Sequence, residues 1–550
     1  MWRIMVKIPL INGCDQLQSA GRCRALPRST IMRSYLPVLA TLVVFSCNAV
    51  AADRPNLLLI LTDNESPSLL GAYGNREIRT PHIDQLAAEG MLFTRAFATS
   101  GVCSPARATL LTGLIPSRTG VHNGLPARFA VPDYSAIEEF RNLPQTLADA
   151  GYVTALVGKH HLGAHEKPQL GFSFWATFSG GHTESFVDQV VVDNGRSFHV
   201  SELKEHVTDF WTRRAVDFIG TQKKEKPFFL MLSYNGPYVL PPTVLDPPDT
   251  RHAAWYEAHP PRPVGEPAHP YLETFARAFP DNIPLRGGNV GKAAIRALDD
   301  PRAMINVASE VSMVDDGVGR VLAALDAAGL ARDTLVVFLS DQGSAWGQHG
   351  LWGNSSWGTP YPAFNANMQI PLIIRHPGRI APGKRSDHTV NEYDLLPTLL
   401  DYLGLADRAV ANTPGRSHAA LLRGGTAEPE QPVFFEYITT RAIQTRQWKY
   451  IKRFLAEPNE LYDLASDPGE THNLVADPAR SAVVTDLDRQ LTVFFERYAD
   501  PQWDVWRGGT AKATLVYGNR NKRFAEHFPD WTPPVTRKGE AFRDSGPPEL

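Results

Sequence analysis

Residues 54–64 read RPNLLLILTDN: an unbroken apolar run, Leu57–Leu61, that ends at Asp63. A strand with one solvated face would alternate polar and apolar residues. A continuous run of this length instead predicts a strand buried on both faces, as in a parallel sheet covered by helices. The pattern recurs in PFFLMLSYNGP (227–237) and DTLVVFLSDQG (333–343). LPQTLADAGYVTALVGK (143–159) reads as helix, glycine stop and strand, and INVASEVSMVDDGVGRVLAALDAAGL (305–330) has helical periodicity up to Gly329. Strands alternating with helices predict an α/β sandwich around a large, mostly parallel mixed sheet. Chemistry in such sheets collects outside the carboxyl ends of the strands, where Asp63, Lys159, Asn235 and Asp341 fall.

Outward from these strands the composition changes twice. LPPTVLDPPDTRHAAWYEAHPPRPVGEPAHP (240–270) lies in a stretch, 237–302, too rich in proline for core, and is expected to be a surface excursion. His252, His259 and His269 in it read as loop residues. From about Ala427, PVFFEYITTRAIQTRQWKYIK alternates like antiparallel strands, and a helix is expected over about 482–498. This gives a larger domain at 53–426 and a smaller antiparallel subdomain at 427–500. The tail 501–550 carries Trp503, Trp506, Tyr517, Phe524, Phe528 and Trp531 among Arg and Lys; packing is favoured over a sugar platform.

The 550 residues allow a large core, and 55 Lys and Arg against 58 Asp and Glu leave a net charge of −3. That balance excludes a general nucleic-acid binder. MRSYLPVLATLVVFSCNAVAADRPN (32–56) has a positive start, an apolar run and small residues at Ala49 and Ala51. It is laid out as a signal peptide over 32–52, too short in its apolar part for a stable membrane span. Residues 1–31 read as an upstream extension, with the true start at Met32. Export to the periplasm or medium is expected. Lipoprotein processing at Cys47 is the alternative, with Phe45 spoiling the lipobox.

Of four cysteines, Cys14, Cys23, Cys47 and Cys103, cleavage leaves Cys103 alone. A lone cysteine in an exported chain forms no internal disulfide. It is either a buried thiol or a residue kept for chemistry. TSGVCSPARATLLTG (99–113) puts Pro105 in a first helical turn and Gly113 at its stop. Cys103 then lies at a helix N-terminus, where negative charge is stabilised, with Arg107 on the same side.

CSPAR resembles the Cys-x-Pro-x-Arg signature of the type I sulfatases, in the alkaline-phosphatase-like superfamily. RPNLLLILTDN, TPHIDQLAAEGMLFTRAFA, CSPARATLLTGLIPSRTGVH, VGKHHLG, DTLVVFLSDQG, IPLIIRHPG, DLLPTLLDYLGL and ELYDLASDPGETHNL are similar to family segments in family order, from Arg54 to Leu474. The resemblance implies that a maturation enzyme oxidises Cys103 to formylglycine (3-oxoalanine). It implies a divalent cation, Ca²⁺ with Mg²⁺ as alternative, held by Asp63, Asn64, Asp341 and Gln342 beside Cys103; Asn64 and Gln342 depart from the commoner residues but keep oxygen donors. A hydroxyl of the hydrated aldehyde would attack sulfur and form a covalent sulfo-enzyme. Arg107 would support the metal side and Lys159 would contact the sulfate. His161 would take the proton that expels sulfate. On the leaving-group side the pattern breaks: Tyr238 stands where the family commonly has histidine, and Asn354 near a common lysine. Tyr238 and His349 are the candidate acids, and Lys159, Asn235, Tyr238, His349 and Asn354 the candidate substrate contacts.

The implied function is an exported sulfatase acting on a sulfated carbohydrate. The alternatives are a phosphodiester or phosphonate monoester hydrolase on the same scaffold and a non-catalytic carbohydrate-binding relative.

Overall fold

A computed structural model of the chain describes residues 54–125, 135–163, 165–183, 185–238, 245, 249–278, 289–454, 457–512, 515, 526–528 and 530. The expected extension (1–31), the signal peptide (32–52) with Cys47, and Tyr517, Phe524 and Trp531 lie outside the described residues.

Eleven strands form one large mixed sheet. Its centre runs Gln369–Arg375, Thr334–Ser340, Asn56–Thr62, Phe228–Ser233, Val153–Gly158 and Phe174–Phe178. All neighbouring pairs from Thr334–Ser340 to Phe174–Phe178 are parallel. Gln369–Arg375 runs antiparallel to its two neighbours, and the strands Val190–Asp193 and Arg196–His199 extend the other edge, also antiparallel.

The apolar runs are continuous because both faces are covered. Leu58 and Ile60 face one core cluster, with Phe210 and Val307 from the helices Val207–Gly220 and Pro301–Ala327. Leu57, Leu59 and Leu61 face a second, with Leu110 from the helix Cys103–Thr112 and Leu399 from Leu395–Tyr402. A one-residue register slip would exchange the two sets.

A separate four-stranded antiparallel sheet follows: Val433–Tyr437, Thr440–Gln444, Trp448–Arg453 and Glu460–Asp463. Its alternation is resolved by two partners. Phe434, Ile443 and Tyr450 pack on the helix Ser481–Tyr498, while Phe435, Ala442 and Ile451 join the core of the large sheet.

One expectation is corrected here. The proline-rich stretch is not a bare surface excursion. It forms the helices Ala253–Ala258, Pro270–Ala278 and Val290–Ala297, which bury Tyr256, Leu272, Phe275 and Ala294 in the main core. Pro270 stands at the first position of its helix, where its missing N–H is harmless. Among the described residues no helix is long and apolar enough to cross a membrane.

Candidate active site

The four central parallel strands end side by side, and each is followed by a polar residue: Asp341 after Ser340, Asp63 after Thr62, Asn235 two residues past Ser233, and Lys159 after Gly158. Backbone bonds carry the ladder past these ends, Asp341 N to Thr62 O at 3.1 Å and Lys159 N to Ser233 O at 2.8 Å. The helix Cys103–Thr112 points its N-terminus at the same place. It starts at Cys103 and stops at Gly113, whose φ of 69° suits glycine.

Every residue of the centre is buried. Arg107 spends its guanidinium across it. Nε donates to Asp341 Oδ2 at 2.9 Å, Nη2 to Asp63 Oδ2 at 3.2 Å, and Nη1 to Lys159 O at 2.6 Å and Ser233 Oγ at 2.7 Å. Lys159 Nζ pairs with Asp63 and stands 3.4 Å from Cys103 Sγ. Gln342 Nε2 lies 3.4 Å and Asp63 Oδ1 3.5 Å from the same sulfur. A sulfur surrounded by an ammonium, an amide and a carboxylate occupies a cradle suited to oxygen. Burial, with Asp63 beside it, pushes the thiol up to about 12, so thiolate chemistry is disfavoured. Burial would also strip the charge from Lys159, but Asp63 holds it on.

The residues fit a divalent cation. Gln342 Nε2 donates to Asn64 Oδ1 and lies 3.4 Å from Asp63 Oδ1, the place where these oxygens converge. Gln342 Oε1 is meanwhile buried without a hydrogen-bond partner. Turning that amide by half a rotation keeps its shape and brings a third oxygen to the point, which is the donor chemistry of a hard cation. Burial lifts Asp341 to about 7 and the Asp63 charge adds to it, as for two carboxylates sharing one site. Asp63, Cys103 and Asp341 have their ligand atoms within 4.8 Å of one another. Asn64 adopts φ 65°, a left-handed conformation that asparagine tolerates.

His161 is held by its carbonyl, which accepts from Ser104 Oγ at 2.7 Å, next to Cys103. Its Nε2 bonds to Leu125 O at 2.9 Å. A carbonyl only accepts, so Nε2 carries the hydrogen and Nδ1, buried and without a hydrogen-bond partner, keeps a lone pair. Burial, then Lys159, pushes the imidazole well below its ordinary range and keeps it neutral. Its ring lies 5.0 Å, edge-on, from His182, which sequence reasoning missed. His182 Nδ1 donates to Thr183 O at 2.9 Å, so its Nε2 accepts from Tyr238 Oη at 2.9 Å. Lys159 Nζ stands 4.6 Å from the centroid of the Tyr238 ring. His182 lies in a loop past the end of the strand Phe174–Phe178, after Gly180-Gly181. A Cβ at Gly181 would lie 2.2 Å from the His165 ring, so only glycine fits there. A histidine after two glycines past a strand end was the available signal.

Two expected substrate contacts are placed elsewhere, and a third lies on another side of the cluster. His349 stacks on Phe364, centroids 4.1 Å apart, with Glu266, Lys449 and Glu460 as its charged surroundings; it is not brought to Cys103. Asn235 is fully buried and accepts from Trp211 Nε1 at 3.3 Å, so it anchors its loop to a helix. Asn354 does join the cluster, but on the carboxylate side, donating from Nδ2 to Asn64 Oδ1 at 3.1 Å.

Buried neutral histidines make stability depend on pH. Burial lowers His165 to about 4, and burial with Lys159 lowers His182 to about 3. The unfolded chain takes these protons near pH 6.5, while the folded chain refuses them. Their contribution to stability is therefore fully present above that value and is lost as pH drops below it, by up to about 1.4 kcal/mol per pH unit for each histidine. Urea midpoints of the wild type and of His165→Gln, measured from pH 7 to 4, should show the steeper decline in the wild type, since the raised Asp341 carboxyl contributes with opposite sign to both; equal slopes would contradict neutral burial of His165.

Residues 55–405 match the sulfatase family, and residues 356–496 match the N-sulphoglucosamine sulphohydrolase C-terminal family. The N-acetylglucosamine-6-O-sulfatase of Bacteroides thetaiotaomicron is 25% identical over 509 residues, covering 78% of this chain and 84% of that protein. The rat N-acetylgalactosamine-6-sulfatase is 30% identical over 419 residues, covering 70% of this chain and 69% of that one. A solved structure in complex with its substrate D-glucosamine-2-N,6-O-disulfate superposes with a TM-score of 0.66 at 23% identity, over 81% of this chain and 98% of that chain, and so shares the fold. With more than half of its length matched, and with this centre at its strand ends, the chain belongs to the sulfatase family and is a sulfuric ester hydrolase.

Proposed function

We propose that the protein is an exported sulfatase that removes sulfate from a carbohydrate, with Cys103 in its mature form as formylglycine. The observation that carries this reading is the cradle at Cys103 Sγ: Lys159, Asp63 and Gln342 converge on it, and Arg107 ties Asp63 to Asp341. The sugar class is supported by the two curated relatives, both hexosamine sulfatases by name. Export is supported by the signal-like residues 32–52. The maturation enzyme that oxidises Cys103 is a required partner.

Asp63, Asn64, Asp341 and Gln342 would hold Ca²⁺, with Mg²⁺ as the alternative; a bound cation supplies Lewis-acid polarisation of the sulfate ester. Formylglycine supplies an oxygen nucleophile in place of the unreactive thiol. The chain's own residues do the rest. Lys159 stays charged and binds a sulfate oxygen from its place beside position 103. Arg107 neutralises the two carboxylates so that the anionic ester can approach. His161 accepts a proton at Nδ1, which it can do because Nε2 is committed to the Leu125 carbonyl. Tyr238 turns its Oη–H from His182 to the leaving oxygen, and the Lys159 ammonium near its ring stabilises the charge that develops. His182 acts through Tyr238 and is a positioning residue.

Two measurements test this. Peptide mass spectrometry across Cys103, on protein from a host with the maturation machinery, should show aldehyde in place of thiol. Turnover of an aryl sulfate should exceed that of an aryl phosphonate; the reverse order would favour the phosphonate hydrolase reading. Tyr238→Phe should then slow sugar sulfates by about 10²-fold or more and aryl sulfates much less, since good leaving groups need little protonation. His182→Ala should follow the same ordering with a smaller loss. Equal losses on both substrate types would remove Tyr238 as the acid.

A further inference from the structure

A cavity of about 260 Å³ lies between the helix Ser481–Tyr498, the strand Val433–Tyr437 and the loop around Pro414–His418. None of its lining residues belongs to the Cys103 centre. Its floor is aromatic. Phe434 and Phe494 stack with centroids 3.7 Å apart, and Tyr393 and Tyr498 lie 6.2 and 5.1 Å from Phe494. Its rim is cationic, with Arg416, Arg489 and Arg497 lining it against one exposed carboxylate, Glu428. Among the described residues neither Arg416 nor Arg497 makes an ion pair; Arg489 pairs with Asp486 on the open helix surface.

Inside stands His418, 8% exposed. Among the described residues the close carboxylate is Asp394, 3.4 Å from its Nε2. Asp394 also accepts Asn391 N at 2.8 Å and Arg416 N at 2.9 Å, and His418 Nδ1 is the ring atom that faces no hydrogen-bond partner. The His388 ring lies edge-on 5.0 Å from His418. A buried ring nitrogen left without a hydrogen bond costs free energy unless something supplies one. The cavity therefore combines a buried ring nitrogen without a hydrogen bond, apolar rings and, among the described residues, two guanidinium groups free of carboxylates, one of which, Arg497, lies 5.1 Å from the Tyr498 ring centroid.

We propose that this cavity binds one anionic sugar residue, sulfated or carboxylated, as a second carbohydrate site apart from the catalytic centre. The apolar ring edges that line the cavity pack against the C–H face of a pyranose ring. Arg416 and Arg497 offer paired N–H donors to a sulfate or carboxylate, and His418 bonds a ring substituent. At about 260 Å³ the cavity is just below the range of about 300–1,000 Å³ that holds drug-sized ligands, so it takes a single ring. The rest of a glycan chain would run out over the exposed helix face. Such a site tethers a polymer and raises its effective concentration at the centre.

The test uses the full chain and a sulfated tetrasaccharide from heparin as probe. Calorimetry on Cys103→Ala protein, which does not consume the probe, should report two binding events. The double variant Arg416→Gln, Arg497→Gln, both at exposed positions, should lose one event or weaken it at least tenfold, with an unchanged melting temperature. In the Cys103 protein the same pair should raise the KM for the polymer about tenfold and leave aryl sulfate kinetics unchanged. Unchanged tetrasaccharide binding in the double variant would overturn the proposal, as would equal binding of the desulfated, uncharged tetrasaccharide. If Cys103 proves inert toward sulfate esters, the arginine-dependent binding event still decides this question separately. Should the double variant unfold, Arg497→Gln alone gives the same reading.

Discussion

Cys103→Ala is expected to lose turnover of any sulfate ester by at least about 10³-fold while leaving the fold intact. The side chain is buried at the first position of its helix, where alanine fits without strain. The substitution removes one sulfur atom, and with it, of the carboxylates' partners, only the long, weak Sγ contact to Asp63 Oδ1 at 3.5 Å. Lys159 keeps its pairing with Asp63, and Arg107 keeps both Asp63 and Asp341. The melting temperature should therefore move by only a few degrees, as for a change of about 1 kcal/mol. Activity and stability separate cleanly, which makes the result readable. Near wild-type turnover in the variant would remove position 103 as the nucleophile.

The parts of the site that the sequence reveals are those bound to regular structure. Asp63, Lys159 and Asp341 follow apolar runs whose burial on both faces is visible in their composition. Cys103 and Arg107 share a helix whose start and stop are written as Pro105 and Gly113. The parts it hides depend on which loop meets which. His182 lies between two strands in a segment without periodicity, and only the fold carries it to Tyr238 and His161. His349 is near Asn354 in sequence, yet it turns to stack on Phe364, while Asn354 turns to Asn64. The helices within 237–302 were hidden for a related reason. Six to nine residues between prolines show too little period to announce a helix, and tertiary burial of Tyr256, Leu272 and Phe275 stabilises them instead.

Arg107→Ala is expected to be the most destabilising single change at the centre, costing about 3–5 kcal/mol along with nearly all activity. The guanidinium is fully buried and makes hydrogen bonds to Asp341, Asp63, Ser233 and the Lys159 carbonyl. Removing it leaves two buried carboxylates facing Lys159 alone. Asp341, already lifted toward about 7 by burial and by Asp63, would then take up a proton to avoid an unpaired charge. Arg107→Lys keeps the charge but cannot span Asp63, Asp341 and Ser233 with one fork, so it should recover only a minor part of the loss. A divalent cation offers a discriminating control. If the oxygens of Asp63, Asn64, Asp341 and Gln342 form a cation site, added Ca²⁺ should raise the urea midpoint of Arg107→Ala more than that of the wild type, because it neutralises the carboxylates the arginine no longer serves. A variant as stable as wild type in chelator would mean that these carboxylates are neutralised by protonation already, and that Arg107 serves the sulfate rather than the fold.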